Sequence, residues 1–109
     1  MSEYVRTKSY VYDKPIVIQK MNPDESWSDV FRLHAHINKS KTDNEYLNSG
    51  AIRAKKYLVF TVRYFKELED ISLNYQIYRI MYQGVPYDIN DYDDFQLQHK
   101  KVQLLGGSY

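Results

Sequence analysis

Hydrophobic and polar residues alternate along several short segments of the chain, and alternation with a period of two predicts half-buried β-strands. The clearest case runs from Val30 to Asn38. Its apolar residues share one predicted face and its polar residues the other: Phe31, Leu33, Ala35 and Ile37 against Arg32, His34, His36 and Asn38. We therefore expect a strand with a polar outer side.

Five other regions also have strand character. Segment 15–21 begins with Pro15, which is tolerated at the first residue of an edge strand. Segment 58–64 is apolar on both faces, so it is predicted to be central in the sheet. Further strands are predicted at residues 75–82, 87–89 and 95–105, and the apolar phase of the last one slips, which predicts a β-bulge between Gln98 and Lys101.

Turn residues separate these strands. Residues 22–26 combine Asn, Pro, Asp and Ser, and Trp27, directly after them, is expected to anchor one end of the core. Residues 66–70 are expected to turn the chain within one helical turn. Gln83-Gly84 suits a tight hairpin, because glycine adopts positive φ without steric cost.

One helix is predicted, at about residues 43–55. Thr42 and Glu45 have the spacing of a capping box, in which each side chain bonds a free backbone N–H of the first turn. Gly50 weakens this helix by roughly 1 kcal/mol relative to alanine. The expected fold is mainly β, a small, partly open β-barrel of five to six strands with one short inserted α-helix. Residues 1–109 form one domain, with 1–14 a possible flexible arm and 106–109 a flexible tail.

Composition adds two points. Twelve tyrosines in 109 residues suit either a β-rich domain or a binding surface. The net charge is only +1, yet residues 1–66 hold twelve Lys/Arg against seven Asp/Glu, and residues 67–109 hold three against seven. If the fold keeps these halves apart, the domain has unlike faces, which suit head-to-tail contacts between copies. If it mixes them, the asymmetry disappears.

No segment has the pattern of a catalytic or metal site. His34 and His36 could bind zinc only with a third ligand, and none is evident nearby. The aspartates at 88, 91, 93 and 94 lack the glycine and the closing glutamate of a calcium loop, so we interpret them as a contact patch for a basic neighbour. We expect no enzyme activity and no cofactor. No apolar run resembles a signal peptide or a membrane span, so we expect synthesis in a cytoplasm and no membrane partner.

The order of several short motifs resembles the phage head–tail adaptor family, which comprises head-closure or stopper proteins of tailed phages of Gram-positive bacteria. The resemblance covers about residues 15–105. The motifs are Trp27, the strand containing Ala35, Glu45-Tyr46 leading a short helix, Thr61-Val62-Arg63-Tyr64 and Gly84-Val85-Pro86-Tyr87-Asp88-Ile89.

This resemblance implies a small β-barrel whose copies form a ring, expected to be a dodecamer, below the portal and its adaptor at the head–tail interface of the virion. The ring would close the channel around packaged double-stranded DNA and provide a docking surface for tail proteins. The resemblance implies a structural or interface role for Arg63, Tyr64, Tyr87 and Asp88. With the other aspartates, the candidate subunit interface is Arg63, Tyr64, Tyr87, Asp88, Asp91, Asp93 and Asp94.

The basic residues around the predicted loop and helix are the candidates for lining the channel or contacting the adaptor: Lys39, Lys41, Arg53, Lys55 and Lys56. Lys and Arg contact DNA phosphates electrostatically and without regard to sequence. Two alternatives stay open. One is a tail-terminator or tail-completion connector protein. The other is a small barrel that binds single-stranded nucleic acid through stacked tyrosines, against which the near-neutral charge argues.

Overall fold

The computed structural model describes residues 11–39, 56–94 and 98–108, and the fold is given for these residues. Six strands form it: β1 (Lys14–Met21), β2 (Trp27–Lys39), β3 (Lys56–Arg63), β4 (Tyr78–Tyr82), β5 (Val85–Asp93) and β6 (Lys101–Ser108). Between β3 and β4 the chain forms a 3₁₀ turn (Lys66–Leu68), the short helix α1 (Glu69–Asn74) and a second 3₁₀ turn (Tyr75–Ile77).

The strands form a closed barrel in the order β1-β2-β3-β6-β5-β4, and neighbouring strands are antiparallel. The prediction of a mainly β small barrel is confirmed, and the barrel is closed rather than partly open. β1 is not the edge strand that Pro15 indicated, because residues Val17–Lys20 pair with β4 and close the barrel. Pro15 is tolerated because it lies before that pairing begins and is opposite His34 of β2 alone.

The barrel interior is the hydrophobic core. β3 contributes Leu58, Phe60 and Val62, as its alternation predicted, and it pairs with β2 and β6 on its two sides, as a central strand does. Thr61 on its other face is also buried. Further core residues come from every other strand and from the connection between β3 and β4: Ile16, Ile18, Ala35, Leu68, Ile71, Tyr78, Ile80, Tyr87, Ile89, Val102 and Leu104.

Trp27 does not anchor this core. Its side chain is only half-buried, and the guanidinium of Arg79 lies 4.2 Å from the centre of its ring. A cation packed on an aromatic face at the surface is favourable, and it leaves the indole outside the barrel. Phe60 is fully buried inside the barrel instead, and its ring meets that of the core residue Tyr87 edge to face at 5.3 Å.

Two predicted turns are confirmed. In the turn at 22–26, the backbone N–H of Asn22 donates to the carbonyl of Ser26 at 2.7 Å. In the β4–β5 hairpin, Gln83 and Gly84 both have positive φ, at 53° and 77°. Positive φ at both central residues is the geometry of the type I′ turn, whose twist matches that of the flanking strands.

The C-terminal strand differs from its prediction. β6 begins at Lys101, and residues 98–100 turn before it, with His99 at a φ of 59°. The slip in apolar phase therefore reflects this turn and not a bulge inside one long strand; residues 95–97 lie outside the described part. The predicted flexible tail is also wrong for residues 106–108, because they pair with β3 and β5, and Gly106 and Gly107 are buried.

The start of β4 also differs from its prediction. β4 begins at Tyr78 instead of Tyr75, since residues 75–77 form a 3₁₀ turn after α1. The expected helical turn at 66–70 is present as the 3₁₀ turn and the start of α1. The predicted helix at 43–55 lies outside the described residues, as do residues 1–10 of the predicted arm.

Candidate interaction surfaces

The strand order places two differently charged surfaces on opposite sides of the barrel. β2 and β5 are three places apart in a closed order of six strands. Their outward side chains therefore point in opposite directions, because side chains alternate between the interior and the exterior of a barrel wall.

The basic side lies where β2 and β3 separate. These strands pair only between residues His36–Lys39 and Leu58–Thr61, so the earlier part of β2 diverges from the end of β3. Arg32 of β2 and Arg63 of β3 are exposed on either side of this gap. We call the gap and its rim the β2–β3 wedge. Arg32 is 76% exposed and donates to Asp29 at 2.9 Å, while Arg63 lies 4.6 Å from the ring centre of Tyr12.

The floor of the β2–β3 wedge is apolar. Leu33, Val62 and Phe65 line it below the two arginines, together with Tyr12 and His34. The ring of Phe65 meets that of Phe31 edge to face at 5.0 Å, which fills the space between the separating strands. The wedge therefore combines an apolar floor with a cationic rim.

The acidic side is the outer face of β5. Asp88, Asp91 and Asp93 are exposed there, opposite Gly107, Leu105 and Gln103 of β6. With simple alternation, Asp88 would lie on one face of β5 and Asp91 and Asp93 on the other. The register shift between Ile89 and Asp91 inserts Asn90 as an extra residue, so Asp91 and Asp93 return to the face of Asp88. We call these three residues the β5 aspartate stripe.

Asp94 is different from the stripe, because its side chain is buried. Its carboxylate accepts the backbone N–H of His99 at 2.9 Å and lies 2.7 Å from His99 Nδ1. The ring of Tyr64 packs on that of His99 at 4.5 Å, and the Tyr64 hydroxyl donates to Glu69. This bond to a carboxylate raises the pKa of Tyr64 to about 12. Asp94 and Tyr64 thus hold the turn before β6 against α1.

Of the other predicted interface residues, one is in the core and the rest are on the surface. Tyr87 is 3% exposed and belongs to the core, whereas Arg63, Asp88, Asp91 and Asp93 lie on the surface. Whether any of the seven contacts another copy stays a prediction.

The predicted channel residues are described in part. Lys39 ends β2 and Lys56 begins β3, and the pairing of these strands places both exposed lysines at one end of the barrel. Lys41, Arg53 and Lys55 lie outside the described residues. The described residues on either side of them, Lys39 and Lys56, are at this same end of the barrel.

The two histidines of β2 are separated by one residue along the strand. His34 is exposed, and His36 Nε2 is 3.3 Å from the side-chain nitrogen of Asn38. Within residues 11–39, 56–94 and 98–108, no three His, Cys, Asp or Glu side chains are grouped so that they could hold a metal ion.

The comparison with protein families identifies this barrel. A model of the phage head completion protein family matches residues 11–105, which is most of the chain. The chain belongs to this family. Phage head completion proteins are structural components of the phage head, a family not known for enzyme activity, and the match suggests a location in the virion. The resemblance seen in the sequence is thus confirmed at the level of the family.

No individual curated protein matches the chain closely. As a head completion protein the chain interacts with other components of the virion. Among its described residues, no helix has the length and apolar character needed to cross a bilayer.

Sequence reasoning missed two parts of these surfaces. Arg32 was visible as an outward position of β2, but only the separation of β2 from β3 makes it the rim of a wedge. The contacts of His99 with Asp94 and Tyr64 had no signal in the sequence, because they depend on the turn at 98–100.

Proposed function

We propose that this head completion protein is a head-closure, or stopper, protein. Its copies form a ring at the head–tail interface, below the portal-side adaptor. The ring closes the channel after DNA packaging and offers a docking surface to tail proteins. The observation that carries this proposal is the family match over residues 11–105, since a head filled with double-stranded DNA is complete only when its exit is sealed.

The shape and charge of the barrel support a ring. A ring needs two different contact surfaces on each copy, one for each neighbour, which is the heterologous type of contact. The β2–β3 wedge is basic and the β5 aspartate stripe is acidic, and they lie on opposite sides of the barrel.

The segment between Lys39 and Lys56 is the proposed channel element. It connects Lys39 and Lys56, two exposed lysines at one end of the barrel, and its sequence adds Lys41, Arg53 and Lys55. Such a segment could extend into a channel without disturbing the barrel. Its positive charges would then contact DNA phosphates, an attraction that does not depend on base sequence.

Charge reversal tests this role. We expect phage particles assembled with the Lys41→Glu, Arg53→Glu, Lys55→Glu variant to lose DNA and infectivity by about tenfold or more, because like charges repel the phosphate backbone. DNA retention is measured as the ratio of filled to empty heads. A variant with Lys14→Glu, Lys66→Glu and Lys100→Glu has the same change in net charge elsewhere and serves as the control. Normal DNA retention in the first variant would make the channel role untenable.

Imaging of intact particles separates this proposal from a tail-completion role. A stopper ring lies between the portal-side adaptor and the tail, whereas a tail-terminator ring caps the tail tube and is present on tails without heads. Binding of the isolated chain to an oligonucleotide, weakening with salt, would instead favour the single-stranded nucleic-acid alternative.

A further inference from the structure

We propose that neighbouring copies in the ring meet through the β5 aspartate stripe of one copy and the β2–β3 wedge of the next. The inference rests on the ring of the proposed function and assigns its subunit contact. The surface that docks on the wedge therefore belongs to a second copy of this chain. The central pair of the contact is Asp91 of one copy with Arg32 of the other.

The positions of the two surfaces suit a ring of many copies. In a ring of n copies, the directions from one copy to its two neighbours differ by an angle of 180° less 360°/n. As n rises this angle approaches 180°, so the two contact surfaces come to lie on opposite sides of the copy. β2 and β5 are opposite each other in the closed strand order. A contact between adjacent strands of the barrel would instead turn too sharply for more than a few copies.

The wedge has an incompletely paired backbone edge. β2 pairs with β1 from Trp27 to Ala35, but its pairing with β3 begins only at His36. Within the described residues, the side of Phe31–Ala35 that faces β3 thus has no strand partner. Unpaired N–H and C=O groups at such an edge attract another chain. The register shift at Ile18/Gln19, opposite Val30, interrupts the edge and confines the accessible stretch to Phe31–Ala35.

The charges of the two surfaces are complementary. Arg32 and Arg63 flank the apolar floor of the wedge, and Arg32 is paired with Asp29 on its own strand. In the stripe, neither Asp88 nor Asp91 forms an ion pair with another described residue. Docking the stripe on the wedge would bring these carboxylates to the two guanidinium groups, and Arg binds carboxylates in a bidentate manner.

The same charges argue against a two-fold contact. Because the two surfaces lie on opposite sides, an isologous interface would place stripe on stripe or wedge on wedge, and the juxtaposed like charges would repel. A head-to-tail contact avoids this repulsion. It also leaves the end of the barrel at Lys39 and Lys56 free for the proposed channel element.

A charge swap tests the contact in assembled particles. The variants are Arg32→Asp, Asp91→Arg and the combination of both, each supplied in place of the natural chain. Each single reversal sets like charges against each other, so we expect DNA-filled heads to fall by about tenfold or more. In the double variant opposite charges face each other again, and we expect recovery to within about threefold of the natural chain.

Recovery in the double variant is specific for a contact between Arg32 and Asp91, because a contact of either residue with a third protein would not restore particles when both charges are reversed. If Arg32 or Asp91 contacted the adaptor or the tail, reversing both would add two defects. Lys100→Asp and Glu67→Arg are the matched controls, since both residues are exposed and lie outside the wedge and the stripe. Circular dichroism of each purified variant establishes that it is folded before particles are counted.

Each result has one interpretation. Loss in both single variants with recovery in the double variant supports the contact. Normal particles with Arg32→Asp or Asp91→Arg alone, or no recovery in a folded double variant, overturns it while the stopper function stands. Heads that keep their DNA when the chain is absent altogether overturn the proposed function itself.

Discussion

At the scale of single residues, Gly106 shows how tightly the barrel interior is packed. A Cβ added there would lie 2.8 Å from Phe60 Cε1 and 3.1 Å from Tyr87 Cβ. The contact with Phe60 is closer than carbon atoms tolerate and the contact with Tyr87 is tight, so Gly106→Ala is expected to lower the free energy of unfolding by about 1–3 kcal/mol. Urea denaturation followed by circular dichroism measures this.

Two further variants test whether steric overlap causes the loss of stability in Gly106→Ala, and not a general sensitivity of the C-terminal strand to substitution. Ser108→Ala lies in the same strand and is expected to change stability little. Phe60→Leu makes room beside Gly106, so it is expected to be less damaging in the Gly106→Ala background than in the natural chain. Additive losses for these two changes would contradict the steric explanation.

Individual residues also show what pattern reasoning can reach. Leu58, Phe60 and Val62 are in the core as their spacing predicts, because burial of one strand face is a local property of the sequence. Asp94 is not on the surface with its neighbours, because His99, five residues later, adopts positive φ and turns back to it. Tyr87 likewise is buried by Phe60, a partner that the sequence does not identify.

At the scale of elements, the turn of the β4–β5 hairpin can be made more stable by substitution. Gln83 has a φ of 53°, a conformation that side chains other than Asn and Asp adopt at a cost. Gln83→Asn is therefore expected to raise the free energy of unfolding by about 0.5 kcal/mol. Gly84→Ala, at a φ of 77°, is expected to lower it by about 1 kcal/mol. Thermal melts of the two variants should shift in opposite directions, and a shift in the same direction would contradict the type I′ assignment.

The elements were predictable where the signal is local and not where it depends on distant pairing. The alternation of β2 and β3 and the Gln-Gly turn follow from neighbouring residues and are present in the structure. The register shift in β5 could not be predicted, because it is defined by pairing with β6, on the far side of the turn at 98–100. That shift decides which face Asp91 and Asp93 occupy, so the stripe itself required the structure.

At the scale of the whole molecule, closure of the barrel depends on pairs of strands that are distant in sequence. β1 with β4 and β3 with β6 supply these contacts, and neither pair could be deduced from the sequence, which indicated only a partly open barrel. Closure matters for function because it fixes β2 and β5 on opposite sides. The charge asymmetry along the chain thereby becomes an asymmetry across the barrel on these two strands.

The tyrosines make the stability of this barrel sensitive to alkaline pH. Burial, together with a hydrogen bond from its hydroxyl to Asp70, raises the pKa of Tyr78 from 10.0 to about 12. Burial also raises the pKa of Tyr92 from 10.0 to about 12, with a further contribution from the charge of Asp94. The unfolded chain therefore loses these protons first as the pH rises above 10. The stabilisation is complete below that pH and is lost progressively towards pH 12.

The urea midpoint is accordingly expected to fall between about pH 9 and about pH 11.5, as the unfolded state releases protons that the folded state retains. The Tyr78→Phe variant lacks the hydrogen bond to Asp70, so its urea midpoint is expected to be lower at pH 9. It also lacks one of the titrating hydroxyls, so its midpoint is expected to fall less steeply as the pH rises. Tyr75→Phe, at an exposed position outside these hydrogen bonds, is the control and should keep the natural slope. An identical slope in Tyr78→Phe and the natural chain would mean that Tyr78 keeps no proton in the folded barrel that it loses on unfolding.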